Sequence, residues 1–289
     1  MDWTLTAPVI SHGKNYRFKP LTNKHHEIII KYCMSRDDSG LILSLKQMLK
    51  ELCTDNTLDF DKIPVIDQVF LLVRLRSICI GTRVDLIVDQ DSDDKKSTYK
   101  TSLVEVQKNI NKHYHNPIII NDDSTGLELT LHYPTSWSTP TIDTYLREIK
   151  TTNTEPLNAS QLTSEQIFQI LEQMSTKASG KLKKAKQTLD TSIEKMVFVK
   201  LPDKDHDINL SHDQYTHLLR VLYSDTLNNF IELMYVFVKI LNMQLSDVMQ
   251  LTPSDTQMYY QMFVKETNER EKAQRETNKS TGRNVPSFS

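Results

Sequence analysis

The sequence predicts an α+β fold in which N-terminal helices with two β-hairpins are followed by a mostly α-helical C-terminal half. Apolar residues recur at helical spacing before residue 82 and again after residue 156, whereas they alternate every second residue in parts of the segment between them. The chain has 289 residues, of which 38% are hydrophobic and 25% are charged. This composition is typical of a globular protein with a substantial core.

Three segments follow from this pattern. We predict an α+β N-terminal domain over residues 1–150, a helical C-terminal domain over residues 157–272 and a disordered tail over residues 273–289. Threonine, serine and proline concentrate between Pro134 and Pro156, which is typical of a linker. The tail lacks the apolar stripe of the preceding helix, so it has little to bury.

The N-terminal half opens with a short extended lead-in over residues 1–20, and three helices follow. Thr22 is a suitable N-cap for the first helix, which ends near a breaker at residues 37–40. The third helix begins at Pro64 and is apolar on most sides, so we expect it at the centre of the core. The second helix is marked by a stripe of helical period at Leu41, Leu45, Met48, Leu49 and Leu52.

Two arginines interrupt the apolar surface of the third helix. Arg74 lies between Val73 and Leu75, and Arg76 lies between Leu75 and Ser77. A guanidinium in such a position must reach solvent or find a partner, and a carboxylate is the expected one.

Two hairpins are predicted after residue 81. In the first, apolar residues alternate from Val84 to Val88 and again over residues 99–103, with an acidic turn between them. In the second, residues 118–120 and 127–131 flank a turn rich in Asn and Asp.

Beyond residue 156 the signals are helical, apart from one possible strand over residues 196–201. Thr163 caps one helix, and an apolar run from residue 211 is long enough for two helices hinged near residues 224–225. The last helix begins at residues 252–255, where a cap, a proline and an acid follow in order. The most apolar stretch, residues 230–241, is shorter than the ~20 residues of a membrane span.

Common catalytic and ligand-binding motifs are not indicated. The six glycines are isolated, which disfavours a phosphate-binding loop, and the three cysteines lack the spacing of a zinc site or a disulfide framework. Asp89, Asp91 and Asp93 have the spacing of a calcium loop, but the glycine and the glutamate that such a loop requires are missing. We therefore expect no cofactor and no metal.

Two further function classes stay open. One is a nucleic-acid-binding regulator that uses a basic face, although no aromatic residues interleave for base stacking and the formal net charge of the chain is −2. The other is a hydrolase with a site assembled from distant residues such as His113, His115 and Asp122. The basic face comprises Lys177, Lys181, Lys183, Lys184 and Lys186.

Three phrases carry a family resemblance. They are KPLT at residues 19–22, IPVIDQVFLLVRLRSICIG at residues 63–81 and LTPSD at residues 251–255, before a charged helix. Together they resemble the baseplate hub assembly proteins of T-even-like contractile-tailed bacteriophages. The central phrase is the most specific, and the resemblance extends over most of residues 1–270.

The resemblance implies a role without catalysis in assembling the central hub of the tail baseplate, as a structural subunit or as a chaperone. The implied partners are baseplate hub or tape-measure proteins, with no small-molecule substrate, membrane or nucleic acid. The implied location is the host cytoplasm during virion assembly, or the virion tail baseplate if the protein is retained. Some relatives carry paired cysteines that suggest a metal-binding ribbon, but this chain has acids and lysines there, so no metal function is carried over.

The predicted partner contact is the C-terminal helix that begins at Pro253, together with the tail after Ala273. We expect truncation at Ala273 to weaken partner capture while leaving the fold intact. The candidate partner-binding residues on the helix are Met258, Tyr259, Met262 and Phe263.

Overall fold

The computed structural model confirms the α+β class. It describes residues 3–35, 37–89, 96–137, 140–151, 155–199, 208–209, 215–223 and 227–280. The helices are α1 (Asn23–Ser35), α2 (Asp38–Leu52), α3 (Val65–Cys79), α4 (Leu103–His113), α5 (Ile142–Tyr145), α6 (Ser164–Glu172), α7 (Thr176–Met196), α8 (Tyr215–Leu222), α9 (Leu227–Tyr235), α10 (Leu245–Gln250) and α11 (Pro253–Ser280). The strands are β1 (Leu5–Val9), β2 (Lys14–Phe18), β3 (Arg83–Asp89), β4 (Lys96–Ser102), β5 (Ile118–Asp122), β6 (Leu127–Leu131), β7 (Leu146–Lys150), β8 (Leu157–Asn158), β9 (Phe198–Val199) and β10 (Ile208–Asn209).

The predicted lead-in is an antiparallel hairpin of β1 and β2. The chain reverses at Gly13, whose φ of 59° is a left-handed conformation that glycine adopts without a steric penalty. Two backbone hydrogen bonds fasten the hairpin to the end of α2, from Lys19 N–H to the Leu52 carbonyl and from Thr54 N–H to the Arg17 carbonyl. The extended segment is therefore part of the folded body.

Helix α3 lies at the centre of the core, as predicted, and its residues 65–73 are all buried. Its two arginines both have neutral oxygens among their described partners. The Arg74 guanidinium donates to the Gln107 side-chain amide oxygen at 3.2 Å, and the Arg76 guanidinium donates to the carbonyls of Gly81 and Arg83. Neutral oxygens therefore accept hydrogen bonds from both guanidinium groups, while the buried Nε of Arg74 has no hydrogen-bond partner among the described residues.

Both predicted hairpins are present. β3 pairs with β4 and β5 pairs with β6, each antiparallel. The acidic turn of the first hairpin lies outside the described residues. Helix α4 was not predicted from the sequence; it begins directly after β4, where the Ser102 hydroxyl accepts a hydrogen bond from Val104 N–H at 3.3 Å. Strands β7 and β8 were not predicted either, and they extend the second hairpin into a four-stranded sheet of order β5-β6-β7-β8.

Helix α7 packs against β5 and α4, and its buried side chains join the main hydrophobic cluster. That cluster includes residues from Leu5 to Tyr223. The boundary predicted between residues 150 and 157 therefore falls within one continuous core. Of the strand predicted at residues 196–201, Met196 instead ends α7, Phe198–Val199 pairs with β10, and residues 200–201 lie outside the described residues.

The C-terminal part has a second, smaller core. Ile30 of α1 packs there with Phe230, Met234, Phe237 and Val248. A π-helical turn, Val236–Ile240, follows α9 directly, and Asn242 then adopts a left-handed conformation with a φ of 57°. The hinge predicted at residues 224–225 lies outside the described residues. No described helix has the length and apolarity needed to cross a membrane.

Helix α11 starts as predicted, because the Thr252 hydroxyl accepts a hydrogen bond from Asp255 N–H at 3.0 Å. The helix continues to Ser280, past Ala273 where the predicted tail begins. Ion pairs at i, i+4 spacing provide the physical reason, since they favour helix where no apolar stripe exists. They join Lys265 to Glu269, Glu266 to Arg270 and Glu271 to Arg275. Residues 281–289 lie outside the described residues.

Candidate functional site

The candidate site is the C-terminal module, by which we mean α9, the π-helical turn, α10 and α11, residues 227–280. Asn23, the first residue of α1, fastens this module to the rest of the protein. Its side-chain amide donates to the Val248 carbonyl at 2.8 Å and to the Thr256 hydroxyl at 2.6 Å, and its backbone N–H donates to the Leu251 carbonyl at 2.8 Å. Asn23 and Thr256 are buried. The start of α11 is therefore held by hydrogen bonds that span more than 220 residues of sequence.

One face of α1 supports the module. Asn23, His26 and Ile30 are buried at i, i+3 and i+7 spacing, which places them on one side of the helix. The His26 ring lies edge-on to Phe230, with 6.1 Å between ring centroids. Burial, with a contribution from the positive charge of Arg76, lowers the pKa of His26 to about 4. The imidazole is therefore neutral at pH 7, so this face of α1 brings no charge into the contact.

Exposed apolar side chains are concentrated on this module. Among the described residues, half of the exposed large hydrophobic side chains lie between positions 231 and 264. Monomeric soluble proteins seldom expose so many apolar groups in one segment unless that segment has an interaction role. The exposed apolar residues of the module are Ile231, Tyr235, Ile240, Leu245, Met258, Tyr259, Met262 and Val264.

Three of the four predicted partner-binding residues are exposed. Met258, Tyr259 and Met262 have exposed fractions of 49%, 41% and 54%, and their i, i+1, i+4 spacing places them on one side of α11. Phe263 differs from them because it is half-buried, on the side of α11 where Tyr260 is also half-buried. The first turns of α11 therefore have one side toward the body and an apolar side toward solvent.

A cavity of about 530 Å³ lies where α1, α9 and α11 meet. Its apolar lining includes Ile80, Phe230 and Leu233, and its polar lining includes Glu232 and Gln257. The contact between the module and the body is therefore bordered by a cleft that is open to solvent.

The residues proposed for a hydrolase site are not brought together. Asp122 ends β5 and accepts hydrogen bonds from the Ser124 hydroxyl at 2.6 Å and from Ser175 N–H at 2.7 Å, and these bonds hold its pKa well below the usual range. His113 and His115 lie before the other end of β5, and the strand alone separates its ends by about 13 Å. Asp122 therefore helps to position the start of α7 and does not face the histidines.

A buried polar cluster around Asp67 of α3 was not predicted from the sequence. Asp67 accepts hydrogen bonds from Ser11 N–H at 3.2 Å and from the Tyr114 hydroxyl at 3.4 Å, and that hydroxyl is 3.5 Å from His132 Nε2. Burial raises the pKa of Asp67 to about 6 and lowers the pKa of His132 to about 4. Asp67 has no exposed surface and His132 is 5% exposed, so a substrate would have no access to either. No spacing in the sequence indicates this cluster, because its members come from four separate elements and loops.

The basic face predicted between residues 177 and 186 lies on α7. Lys177, Lys181, Lys183 and Lys184 are exposed, whereas Lys186 forms an ion pair with Asp190 at 2.7 Å. Lys186 Nζ also lies 5.1 Å from the centre of the Tyr145 ring. Four of the five lysines are therefore accessible to a partner.

Within the described parts of the chain, no three His, Cys, Asp or Glu side chains converge as metal ligands. Cys33, Cys53 and Cys79 are free thiols. The acidic turn that was compared with a calcium loop lies outside the described residues.

The fold and the candidate site define an α+β protein with a C-terminal helix whose exposed apolar side is of the kind found at contacts between proteins. The comparison with protein families is specific: the model of the T4 bacteriophage base plate protein family matches residues 2–218. The chain therefore belongs to the T4 bacteriophage base plate protein family, and its role is in the structure or assembly of a phage tail base plate. The match ends before α9, so the C-terminal module follows the matched region. No curated protein and no solved structure showed significant similarity to the chain.

Proposed function

We propose that this base plate protein acts at the central hub, as an assembly factor or a structural subunit, by binding other proteins and without catalysis. Its partners are hub or tape-measure proteins, and it meets them in the host cytoplasm during virion assembly. Membership of the base plate family supports a role in the tail base plate. The resemblance of residues 19–22, 63–81 and 251–255 to hub assembly proteins supports the hub as the place of action.

One observation carries the proposal of a binding role. Met258, Tyr259 and Met262 expose an apolar side on a helix whose base is fixed by Asn23. A fixed helix with i, i+4 apolar anchors suits docking into a groove of a partner, because little conformational entropy is lost on binding. Methionine adds adaptability, since its unbranched side chain fits irregular apolar surfaces. The separation of Asp122 from His113 and His115 supports a role without catalysis.

Capture of partners from infected cells tests the proposal. The tagged full-length protein is expected to bring down hub or tape-measure proteins, identified by mass spectrometry at mid-assembly. Replacing Met258, Tyr259 and Met262 together by serine is expected to reduce capture at least tenfold, because about 1 kcal/mol or more is lost per buried anchor. The melting temperature of this variant should match the wild type, because these side chains contact little of the body.

A matched control uses exposed polar positions of the same helix. Replacing Gln261 and Asn268 by serine should leave capture unchanged. Equal capture by the apolar-face variant and the wild type would contradict the binding role of α11, and recovery of no tail protein by the wild type would contradict the hub proposal as a whole. Truncation before Ala273 tests separately whether the end of α11 and residues 281–289 contribute.

Particle composition separates the two forms of the proposal. Presence of the protein in purified particles supports a structural subunit. Capture of hub proteins combined with absence from particles supports an assembly chaperone.

A further inference from the structure

Helix α7 presents a line of lysines that the binding role of α11 does not use. Side chains of an α-helix advance 100° per residue, so Lys177, Lys181, Lys184 and Lys195 fall within an arc of about 60° and extend over about 27 Å. All four are exposed. We call them the α7 lysine stripe.

The stripe is held rigidly and is not neutralised locally. The opposite side of α7 is buried in the core through Leu182, Leu189 and Ile193. Among the described residues, no carboxylate forms an ion pair with a lysine of the stripe. In a chain with a formal net charge of −2, these cations form a local positive surface on a fixed support.

Positive charge from α4 joins the stripe at its C-terminal end. Burial together with the charges of Lys112, Lys195 and His115 lowers the pKa of His113. Lys112 and Lys195 therefore lie close enough to act on the same imidazole, although they belong to different helices. The positive surface thus continues from α7 onto the end of α4.

We propose that the α7 lysine stripe binds an acidic, helical segment of a partner protein. Lysines at i, i+4 and i+7 repeat every 5–6 Å, which is the repeat of carboxylates along one face of an acidic helix. The inference rests on the proposed function, because that function requires a protein partner. It adds a second contact, on a different part of the molecule from α11, and specifies the charge of the segment that binds there.

Two observations favour an acidic protein segment over nucleic acid. The side chains between the lysines of the stripe are Thr188 and Thr191, with no arginine or aromatic residue to read or stack on bases. Exposed Glu172 before the stripe and exposed Glu194 near its end limit the positive surface along α7. A long polyphosphate would meet both carboxylates, whereas a short acidic helix reaches Lys177, Lys181 and Lys184 without meeting either.

Binding of synthetic probes to the full-length protein tests the inference. The probes are a fluorescent alanine-rich helical peptide of about 20 residues, about 30 Å long, with glutamates at i, i+4 and i+7 along one face, and a DNA duplex with the same number of negative charges. The acidic peptide is expected to bind, and to bind more weakly as salt rises from about 50 to about 300 mM. The triple variant Lys177→Gln, Lys181→Gln, Lys184→Gln is expected to bind it roughly tenfold more weakly.

The control variant removes the same charge elsewhere. Lys14→Gln, Lys239→Gln, Lys272→Gln changes three exposed lysines outside the stripe and should keep binding within about twofold of the wild type. Equal binding by the stripe variant and the wild type, equal weakening in both variants, or no binding at low salt would overturn the inference. Tighter binding of the DNA duplex than of the acidic peptide would overturn it in favour of nucleic acid. Because the probes contain no base plate sequence, the result is independent of the capture experiment on α11.

Discussion

The hydrogen bonds of Asn23 lead to a quantitative prediction about the C-terminal module. Asn23→Ala removes two donated bonds, to the Val248 carbonyl and to the Thr256 hydroxyl. Neither acceptor is left without a partner, since the Val248 carbonyl keeps its bond from Leu251 N–H and the Thr256 hydroxyl keeps its bond to the Thr252 carbonyl. The expected cost is therefore that of two ordinary hydrogen bonds, about 2 kcal/mol in total.

This cost should appear as local opening of the module. About 2 kcal/mol corresponds to a roughly 30-fold larger opening equilibrium, which native-state hydrogen exchange measures at amides of α9 and α10. Amides of α3 should keep their protection, because α3 belongs to the main core. Asn23→Asp should open the module further, since a carboxylate would face the Val248 carbonyl without a donor.

The exposed Asn111 of α4 provides the matched control, and Asn111→Ala should change exchange nowhere in the module. The reasoning is refuted if Asn23→Ala changes exchange in α9 and α10 less than about twofold. It is also refuted if α3 loses as much protection as the module does, because the module would then not open on its own.

Two further predictions concern the body of the protein. The pKa of Asp67 is raised to about 6, so the folded protein keeps a proton that the unfolded chain releases near pH 3.9. The contribution of this group to the free energy of unfolding therefore falls as pH rises between these two values. The free energy of unfolding of Asp67→Asn, measured in urea, should match that of the wild type near pH 4 and exceed it at pH 7 by up to about 3 kcal/mol; a difference that does not depend on pH would contradict this. Arg220 donates to the Tyr32 carbonyl at 3.3 Å and to Asp38 Oδ1 at 2.6 Å, so Arg220→Ala should cost about 1–3 kcal/mol in urea unfolding. Asp38 is largely exposed, so Asp38→Ala should cost less than about 1 kcal/mol, and equal costs would contradict a role for the α1 carbonyls.

Elements with a strong local pattern could be predicted from the sequence. The stripe from Leu41 to Leu52 is buried along α2, and the two hairpins after residue 81 have the expected pairing. Helix α4 was missed because the alternation of Tyr99 and Thr101 extends to Leu103, while Ser102 ends the strand and caps the helix. Because Ser102 both ends the strand and caps the helix, the period of the apolar residues does not show where α4 begins.

The candidate site could be predicted only in part for a different reason. The helical period placed Met258, Tyr259 and Met262 together on the last helix, and their exposure agrees with an interaction role. The attachment of that helix depends on Asn23, which reads in the sequence as an ordinary polar residue at a helix start. Contacts between residues so far apart in sequence leave no local pattern, and the same holds for the Asp67 cluster.

The length of α11 gives the end of the protein a mechanical property. Its 28 residues extend for about 40 Å, and its described residues from 268 to 277 are exposed on all sides. Such a helix would rotate as a rigid rod about the hydrogen-bonded turn at Thr252. A rotation of about 10° there would displace the far end of α11 by about 7 Å. A small rearrangement of the Asn23 contact would therefore produce a displacement several times larger at the C-terminal end of α11, where it would change the contact with a neighbouring subunit of an assembling tail.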